Sequence, residues 1–235
     1  MLTKTYGSAV YGISAQLITV EVDVGQGAKT QIIGLPDNAV KESQPRVNAA
    51  MKNCGFTYPR KGVVINMAPA DIRKEGSAYD LTIAIGVMAS GELITTDMLE
   101  ETIIMGELSL DGSILPIKGA LPIAIQAHKD GYKKLIVPIE NAREAAIVKD
   151  LEVYGMENLN DVVNLLEGSK EFERTIVNPR DDFAEGLTKL VFDFSDVKGQ
   201  ENIKRAMEIA AAGGHNIILI GPPGAGKGTQ SEKLI

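Results

Sequence analysis

The sequence predicts a layered α/β or α+β fold, because segments with strand patterning alternate with segments with helix patterning over residues 1–165. Further along the chain, a short apolar strand followed at once by a glycine-rich loop predicts a second unit that binds phosphate. The composition is that of a folded protein, since 44% of the residues are hydrophobic and 23% are charged. These three observations predict an N-terminal α/β domain followed by the beginning of a nucleotide-binding domain.

Strands are predicted where apolar and polar residues alternate, or where a short run is strongly apolar. The predicted strands are Leu17–Val24, Thr30–Leu35, Gly62–Met67, Thr102–Met105, Ile114–Ile117 and Lys134–Val137, and the predicted helices are Asn38–Asn53, Tyr79–Ser90, Gly119–His128, Glu140–Lys149 and Asn160–Leu166. The Tyr79–Ser90 segment is apolar nearly all round, which predicts a helix buried on most of its sides. Pro45 lies inside the first helical pattern and predicts a kink or a restart there. The Asp111-Gly112 pair predicts a hairpin turn.

The pattern breaks down after the last of these helices, where charged residues, one Pro and two Gly replace the periodic segments. We therefore expect an N-terminal domain over residues 1–167, a linker over 168–190 and the start of a second domain over 191–235. In that second domain, a helix is predicted over Gln200–Ala212 and a strand over Asn216–Ile220, with Gly213-Gly214 ending the helix.

Hydropathy, cysteine content and charge exclude several classes of protein. The longest strongly apolar stretch, around Leu81–Ala89, is shorter than the ~20 residues that span a bilayer, and Met1–Gly12 lacks the apolar core of a signal peptide. The single cysteine, Cys54, excludes an internal disulfide framework and fits a reducing compartment. We therefore expect a cytoplasmic protein with no membrane partner. Because the net charge is −7, DNA would have to bind at a local basic surface.

The clearest functional signal is a phosphate-binding loop directly after the predicted strand Asn216–Ile220. Its residues are Gly221, Pro222, Pro223, Gly224, Ala225, Gly226 and Lys227. Small residues leave backbone N–H groups free to bind phosphate oxygens, and the lysine adds a positive charge for the β- and γ-phosphates. A Ser or Thr that binds Mg²⁺ usually follows this lysine; here Gly228 follows, and Thr229 is the nearest hydroxyl. The loop predicts ATP and Mg²⁺ as cofactors of the parent protein, and a ligand-free turn is the alternative.

The residues after Lys227 do not continue as an ATPase would. They supply no acidic strand end, sensor residue or arginine finger, so we do not expect these 235 residues alone to hydrolyse ATP and assign no catalytic residue. The segment Gly226–Ile235 resembles the phosphate loop of an adenylate kinase. A nucleotide kinase is therefore a further alternative, although its lid and its nucleoside-monophosphate site are absent from the sequence.

The segments that surround the loop carry a family resemblance. They are Phe192–Gln200 and Arg205–Asn216, together with Val20–Asp23, Ile33–Pro36, Val40–Glu42 and Asn66–Asp71. They resemble the magnesium-chelatase-like AAA+ ATPases, in particular the bacterial branch that includes the competence-associated branch-migration helicase. The resemblance implies an ATP-driven hexameric ring that remodels DNA or drives branch migration in recombination, and it does not imply insertion of magnesium into a porphyrin. For this chain, the alternative is a non-catalytic oligomerisation or DNA-binding domain.

A second resemblance concerns the N-terminal domain. The segments Lys74–Thr82 and Met105–Ile117 resemble the proteolytic domain of Lon-type proteases, which implies a Lon-protease-like, ribosomal-protein-like two-layer fold. The resemblance places the nucleophilic serine at Ala78 and the activating lysine near Leu121. Ser77 and Lys118 lie close to those two positions in the sequence, so a Ser–Lys peptidase that uses them is an alternative to a fold retained for assembly.

Basic residues form one further candidate site. The pairs Arg60-Lys61 and Arg73-Lys74 are a candidate basic surface for the DNA backbone, but four cations in a domain of net negative charge are more often ordinary solvated charge. No spacing of His, Cys and Asp resembles a metal site, since His128 and His215 are far apart in the sequence, so no metal ligand is assigned. Cys54 lies near a predicted helix end and is interpreted as a packing residue.

Overall fold

The structure is a computed structural model that describes residues 2–95, 97–178, 198–218 and 220. The chain divides into two compact units, Met1–Asn178 and Pro179–Ile235. The predicted phosphate loop and the second half of the predicted linker lie outside the described residues.

The described part of the first unit consists of strands, α-helices and one 3₁₀ turn. The strands are β1 (Leu2–Tyr11), β2 (Ser14–Gly25), β3 (Thr30–Ile33), β4 (Gly62–Ala68), β5 (Thr102–Ile104), β6 (Glu107–Leu108), β7 (Ile114–Leu115), β8 (Lys134–Pro138) and β9 (Glu152–Met156). The helices are α1 (Asn38–Lys41), α2 (Ser43–Asn53), α3 (Asp80–Ser90), α4 (Ala120–Lys129), α5 (Ile139–Ala145) and α6 (Leu159–Leu166), and the 3₁₀ turn is Leu99–Glu101. In the second unit, the described residues form α7 (Glu201–Gly213).

Seven of these strands form one mixed sheet in the order β3-β4-β2-β1-β5-β8-β9. The neighbours β1–β2 and β2–β4 are antiparallel, whereas β1–β5, β3–β4, β5–β8 and β8–β9 are parallel. Parallel neighbours require crossover connections, which the helices supply. Strands β6 and β7 pair separately as a short hairpin that contains the predicted Asp111-Gly112 turn. The predicted α/β (α+β) class is confirmed.

Helix α3 lies in the core of this unit, where it packs against β1 and β2. Each of its residues from Asp80 to Ser90 is buried except Ala89. The prediction of a helix buried on most of its sides is therefore confirmed. The helix begins immediately after the loop that carries Ser77, so its N-terminal end places that loop against the core.

The sequence pattern did not predict β1, β6 or β9. In β1, the buried positions include Thr5 and Ser8, which are polar and hide the alternation expected of a strand. Their hydroxyl groups are satisfied by backbone oxygens, because Thr5 Oγ1 donates to Thr82 O at 3.1 Å and Ser8 Oγ donates to Gln16 O at 3.1 Å. A hydrogen-bonded hydroxyl is tolerated in a core, so a polar sequence folded as a buried strand.

The helical pattern around Pro45 resolves as a restart. Helix α1 ends at Lys41 and α2 begins at Ser43, which puts Pro45 in the first turn of α2, where its missing N–H costs no hydrogen bond. Helix α5 ends at Ala145, earlier than predicted. In the second unit, α7 ends at the predicted glycine pair, but the described residues of Asn216–Ile220 belong to no strand, so that prediction is wrong for them.

The first residues of the predicted linker lie against the N-terminal unit. Thr175 N donates to Val153 O at 2.7 Å, and Lys170 Nζ lies 3.3 Å from Asp161 Oδ1 and 4.5 Å from the centre of the Phe172 ring. These contacts attach the chain to β9 and α6 as far as Thr175. Within the described residues, no helix has the length and hydrophobicity that a bilayer-spanning segment needs.

Candidate functional site

The first unit contains an open cavity of about 380 Å³ beside the N-terminal end of α3. Its lining comes from β1, the loop before α3, the segment from Met105 into β6, the segment before α4 and the first turn of α4. The buried side chains of Tyr79, Met105 and Ile123 form the apolar floor. Glu75 and Lys118 are exposed and lie at the rim. The cavity therefore combines an apolar interior with charged groups near solvent, which is a common composition of small-molecule sites.

Ser77 and Glu107 form a polar pair in the wall of this cavity, since Ser77 Oγ donates a short hydrogen bond to Glu107 Oε2. The loop that presents Ser77 is held by Asp37. One oxygen of the Asp37 carboxylate accepts from Val40 N at 2.8 Å, and the other accepts from Gly76 N at 3.1 Å. This carboxylate joins the start of α1 to the residue before Ser77, so the position of Ser77 depends on a contact between two segments distant in the sequence.

An ion pair between Arg46 and Asp80 supports the other side of the same wall. Arg46 Nε donates to Asp80 Oδ2 at 2.7 Å, and a terminal guanidinium nitrogen donates to Oδ1 at 2.9 Å. The Asp80 side chain is 1% exposed, and it also accepts from Leu108 N at 3.4 Å. Burial raises the pKa of Asp80 and the ion pair opposes that shift, while Asp80 raises the pKa of Arg46. The pair thus links α2, α3 and β6, and β6 carries Glu107.

The structure brings Ser77, Ala78 and Lys118 to this one cavity. Ser77 donates to Glu107, however, and no hydrogen bond joins Ser77 to Lys118 in the part of the chain that the structure describes. A Ser–Lys peptidase needs a lysine amine that accepts the serine proton, and that contact is not formed here. Leu121, at the position of the Lon-type lysine, donates its backbone N–H to Glu144 Oε1 at 3.0 Å. Burial raises the pKa of Tyr79 far above its usual range, so its hydroxyl stays protonated.

Glu107 is the residue of the cavity that sequence reasoning did not single out. It is a carboxylate two residues after Met105, the last residue of the predicted strand Thr102–Met105. A charged residue in that place is a signal for a site, because side chains that follow parallel strands gather at one edge of a sheet. Ser77, in contrast, was found only through the Lon-type resemblance.

The four cations of the candidate basic surface do not form a single patch, and Lys74 is the main reason. Lys74 is fully buried, and its Nζ donates to Gly34 O at 2.7 Å and to Pro69 O at a shorter distance. Burial lowers the pKa of Lys74. A side chain enclosed in this way cannot contact a DNA backbone, and its hydrogen bonds instead join the loop after β3 to the loop after β4.

The remaining three cations of that prediction do not come together. Arg73 Nε lies 3.1 Å from Glu75 Oε1, so its charge is balanced locally. Arg60 and Lys61 are exposed, but they precede β4, whereas Arg73 follows it. A strand of this length spans roughly 20 Å, and the two pairs therefore lie at opposite ends of β4.

Of the other predicted sites, some lie among the described residues and one lies outside them. The cofactor-binding residues Gly221–Thr229 lie outside the described part of the chain. Among the described residues, no group of three or more His, Cys, Asp and Glu side chains is arranged to hold a metal ion. Cys54 is half-buried, with its Sγ 3.8 Å from Asp111 O, and burial raises the pKa of its thiol. These contacts agree with the interpretation of Cys54 as a packing residue.

Comparison with known proteins identifies relatives of both units. Residues 193–235 match a family model described as magnesium chelatase, subunit ChlI. The uncharacterized protein YifB of Escherichia coli is 42% identical over 99% of this chain, which covers 45% of that relative. The competence protein ComM of Haemophilus influenzae is 37% identical over 99% of this chain, which covers 46% of it. The chain thus spans about half the length of these relatives.

The N-terminal unit has more distant relatives among proteases. Lon protease 3 of Sorangium cellulosum is 26% identical over 67% of this chain and 20% of its own length. Lon protease 1 of Thermus thermophilus is 33% identical over 40% of this chain and 12% of its own length. These matches and the mixed seven-stranded sheet confirm the predicted Lon-protease-like α/β fold. Because residues 20–141, more than half of the chain, match the family model described as subunit ChlI of Mg-chelatase, the chain belongs to the ChlI-like family of magnesium-chelatase-related proteins.

Proposed function

We propose that this chain is the N-terminal part of an ATP-dependent AAA+ motor that acts on DNA. The observation that carries the proposal is the glycine-rich segment ending in Lys227, which lies inside the family match over residues 193–235. Similarity to the competence protein ComM over 99% of the chain supports a role in DNA processing. The motor of the whole protein would use ATP hydrolysis to remodel DNA or to move a DNA branch point.

The proposal assigns the phosphate contacts to particular residues of the loop. The backbone N–H groups of Gly221, Gly224, Ala225 and Gly226 bind phosphate oxygens, Pro222 and Pro223 have no N–H to donate, and Lys227 pairs with the β- and γ-phosphates. Thr229 supplies the hydroxyl for Mg²⁺, because Gly228 replaces the usual Ser or Thr. ATP, when bound with Mg²⁺, would supply the free energy for movement of DNA.

Nucleotide binding is the first test, and it uses the full 235-residue chain. Titration with a fluorescent ATP analogue and Mg²⁺ should give saturable binding, and Lys227→Ala should weaken it at least about tenfold, because a charge-assisted phosphate contact is lost. Arg205→Ala is the matched control, since it removes one exposed positive charge from the same unit. Equal affinity of Lys227→Ala and the unmodified chain would contradict the proposal.

A second test concerns the DNA partner. A branched DNA should bind more tightly than a linear duplex of the same length, and binding should weaken as salt rises, because phosphate contacts release counterions. Binding of neither DNA by the full-length protein, with ATP and without it, would argue against a DNA motor. Light scattering of the same samples tests the hexameric ring that the family resemblance implies.

The geometry of the cavity favours a non-catalytic role for the N-terminal unit, as an assembly domain of the motor. The supporting observation is that Ser77 donates to Glu107 and forms no hydrogen bond to Lys118 among the described residues. We therefore expect no cleavage of a fluorogenic casein by the full chain. Cleavage that is lost in both Ser77→Ala and Lys118→Met would restore the Ser–Lys peptidase alternative.

A further inference from the structure

We propose that the cavity beside α3 binds a free α-amino acid with an apolar side chain. This inference goes beyond the proposed motor function, because it concerns the N-terminal unit and uses no residue of the phosphate loop. It rests on the order in which the cavity presents its groups: an apolar floor, a carboxylate in the wall and an ammonium at the rim.

The carboxylate of Glu107 is the partner for the α-ammonium group. It is half-buried, and only its Oε2 has a hydrogen-bond partner among the described residues, the hydroxyl of Ser77. A carboxylate can accept about four hydrogen bonds, so Oε1 remains available. Ser77 Oγ uses its proton on Glu107 and keeps its lone pairs for a second donor. An ammonium with three N–H groups can therefore contact both side chains.

Lys118 is the partner for the α-carboxylate group. It is exposed at the rim, and within the described ranges it forms no hydrogen bond or ion pair, either with Glu107 or with another residue. Glu75, the carboxylate at the rim, is paired with Arg73, whose Nε lies 3.1 Å from Glu75 Oε1. Among the described residues, the charge of Glu107 also acts on Arg46, but its Oε1 accepts no hydrogen bond, and Lys118 has no partner. This anion and this cation together match a zwitterion better than a singly charged ligand.

The interior of the cavity selects an apolar side chain. Val10, Ala78 and Pro116 line it with accessible apolar surface, whereas Met105 and Ile123 also line it but are almost fully buried. A volume of about 380 Å³ lies near the lower end of the range for ligand sites, which suits a small ligand. A side chain the size of leucine would replace water on the accessible surfaces of Val10, Ala78 and Pro116, and the ends of the ligand would stay at the polar wall and rim.

Binding is tested by calorimetry on the full chain with L-leucine and two analogues that lack one charge each. L-Leucine should bind saturably, whereas 3-methylbutylamine, which lacks the carboxylate, and 4-methylpentanoate, which lacks the ammonium, should each bind at least about tenfold more weakly. L-Leucinamide and a leucyl dipeptide distinguish a free amino acid from the N-terminus of a peptide. Equal or tighter binding of the dipeptide would overturn the proposal in favour of peptide recognition.

Two variants test which side chain binds the carboxylate of the ligand and which binds its ammonium group. Lys118→Met should weaken L-leucine at least about tenfold and leave 3-methylbutylamine unchanged, whereas Glu107→Gln should weaken both. Lys129→Met, which removes an exposed lysine at the far end of α4, is the matched control and should bind like the unmodified chain. Absence of saturable binding for leucine, isoleucine, valine, methionine and phenylalanine at millimolar concentration would overturn the proposal, as would leucine binding that neither variant changes.

Discussion

Two neighbouring regions of the N-terminal unit differ in whether their charged side chains have hydrogen-bond partners within the protein. In the first, which we call the lysine clamp, buried Lys74 donates to the carbonyl oxygens of Gly34 and Pro69. In the second, the cavity beside α3, Lys118 is exposed and has no partner in the described part of the chain. The clamp satisfies a buried charge with protein groups, whereas the cavity leaves charges available to a ligand.

The two regions are connected through the short segment between Lys74 and Asp80. Lys74 holds the beginning of this segment, and the ion pair of Asp80 with Arg46 holds its end. Ser77 lies between these two anchors and faces the cavity. The comparison indicates that the clamp stabilises the wall of the cavity, and that the groups facing the cavity contribute little to folding. Each prediction below tests one side of this comparison by the free energy of unfolding.

The largest effect is expected at Gly34, next to the clamp. Its φ of +98° disfavours any other residue, and a Cβ there would lie 2.1 Å from Met67 O, closer than atoms can approach. Gly34→Ala should therefore destabilise the unit by more than about 3 kcal/mol. Gly76→Ala is the matched control, because Gly76 also has a positive φ, +81°, but a Cβ there meets no atom within 4 Å.

We expect Gly76→Ala to cost about 1 kcal/mol, the strain of its backbone conformation alone. Urea unfolding followed by tyrosine fluorescence measures both variants, since the chain has no tryptophan and its six tyrosines all lie in the first unit. Equal losses of free energy of unfolding in the two alanine variants would show that the close contact with Met67 O is not what destabilises Gly34→Ala.

The next largest effect compares the two lysines directly. Lys74→Met replaces the charged side chain by an apolar one of similar length and leaves Gly34 O and Pro69 O without their donor. This should lower the free energy of unfolding by about 2–4 kcal/mol. Lys118→Met removes an exposed side chain with no described partner and should change stability by less than about 0.5 kcal/mol. A similar loss in the two variants would contradict the distinction between clamp and cavity.

The pH dependence of stability sharpens the same contrast. Burial lowers the pKa of Lys74 in the folded state, while in the unfolded chain a lysine titrates near ~10.4. Between these values the unfolded state holds more protons, so the contribution of Lys74 to the free energy of unfolding rises with pH. The rise is at most about 1.4 kcal/mol per pH unit.

We therefore expect the free energy of unfolding of the unmodified chain, relative to that of Lys74→Met, to increase as the pH rises from neutral towards ~10. Urea unfolding followed by circular dichroism at several pH values measures the difference. The same series with Lys29→Met, an exposed lysine of the same unit, provides the control. Parallel curves for the unmodified chain and Lys74→Met would mean that Lys74 titrates alike in both states.

The sequence predicted the apolar helix of the core but not the polar contacts of the lysine clamp and the cavity. Helix α3 was predictable because a helix that is apolar nearly all round has to be buried on most of its sides. The burial of Lys74 was not, since its partners are backbone oxygens of loops that come close only when β3 and β4 pair. The pairing of Ser77 with Glu107 likewise depends on the contact of two segments 30 residues apart. Local pattern shows which face is apolar, but not which distant carbonyl or carboxylate satisfies a polar group.

Apart from the Lys118→Met control, the smallest effect is expected at Ser77. Ser77→Ala removes the hydroxyl that donates to Glu107 Oε2, but Glu107 is only half-buried, so water can replace that donor. The loss should be about 0.5–1 kcal/mol, well below that of Lys74→Met, although the two residues are three positions apart. Urea unfolding of the two variants in parallel measures the ratio of their effects. Equal losses of stability for Ser77→Ala and Lys74→Met would contradict this expectation. The Ser77–Glu107 hydrogen bond would then be part of the structure that holds the loop in place, and a ligand in the cavity could bind only through Lys118 and the apolar floor.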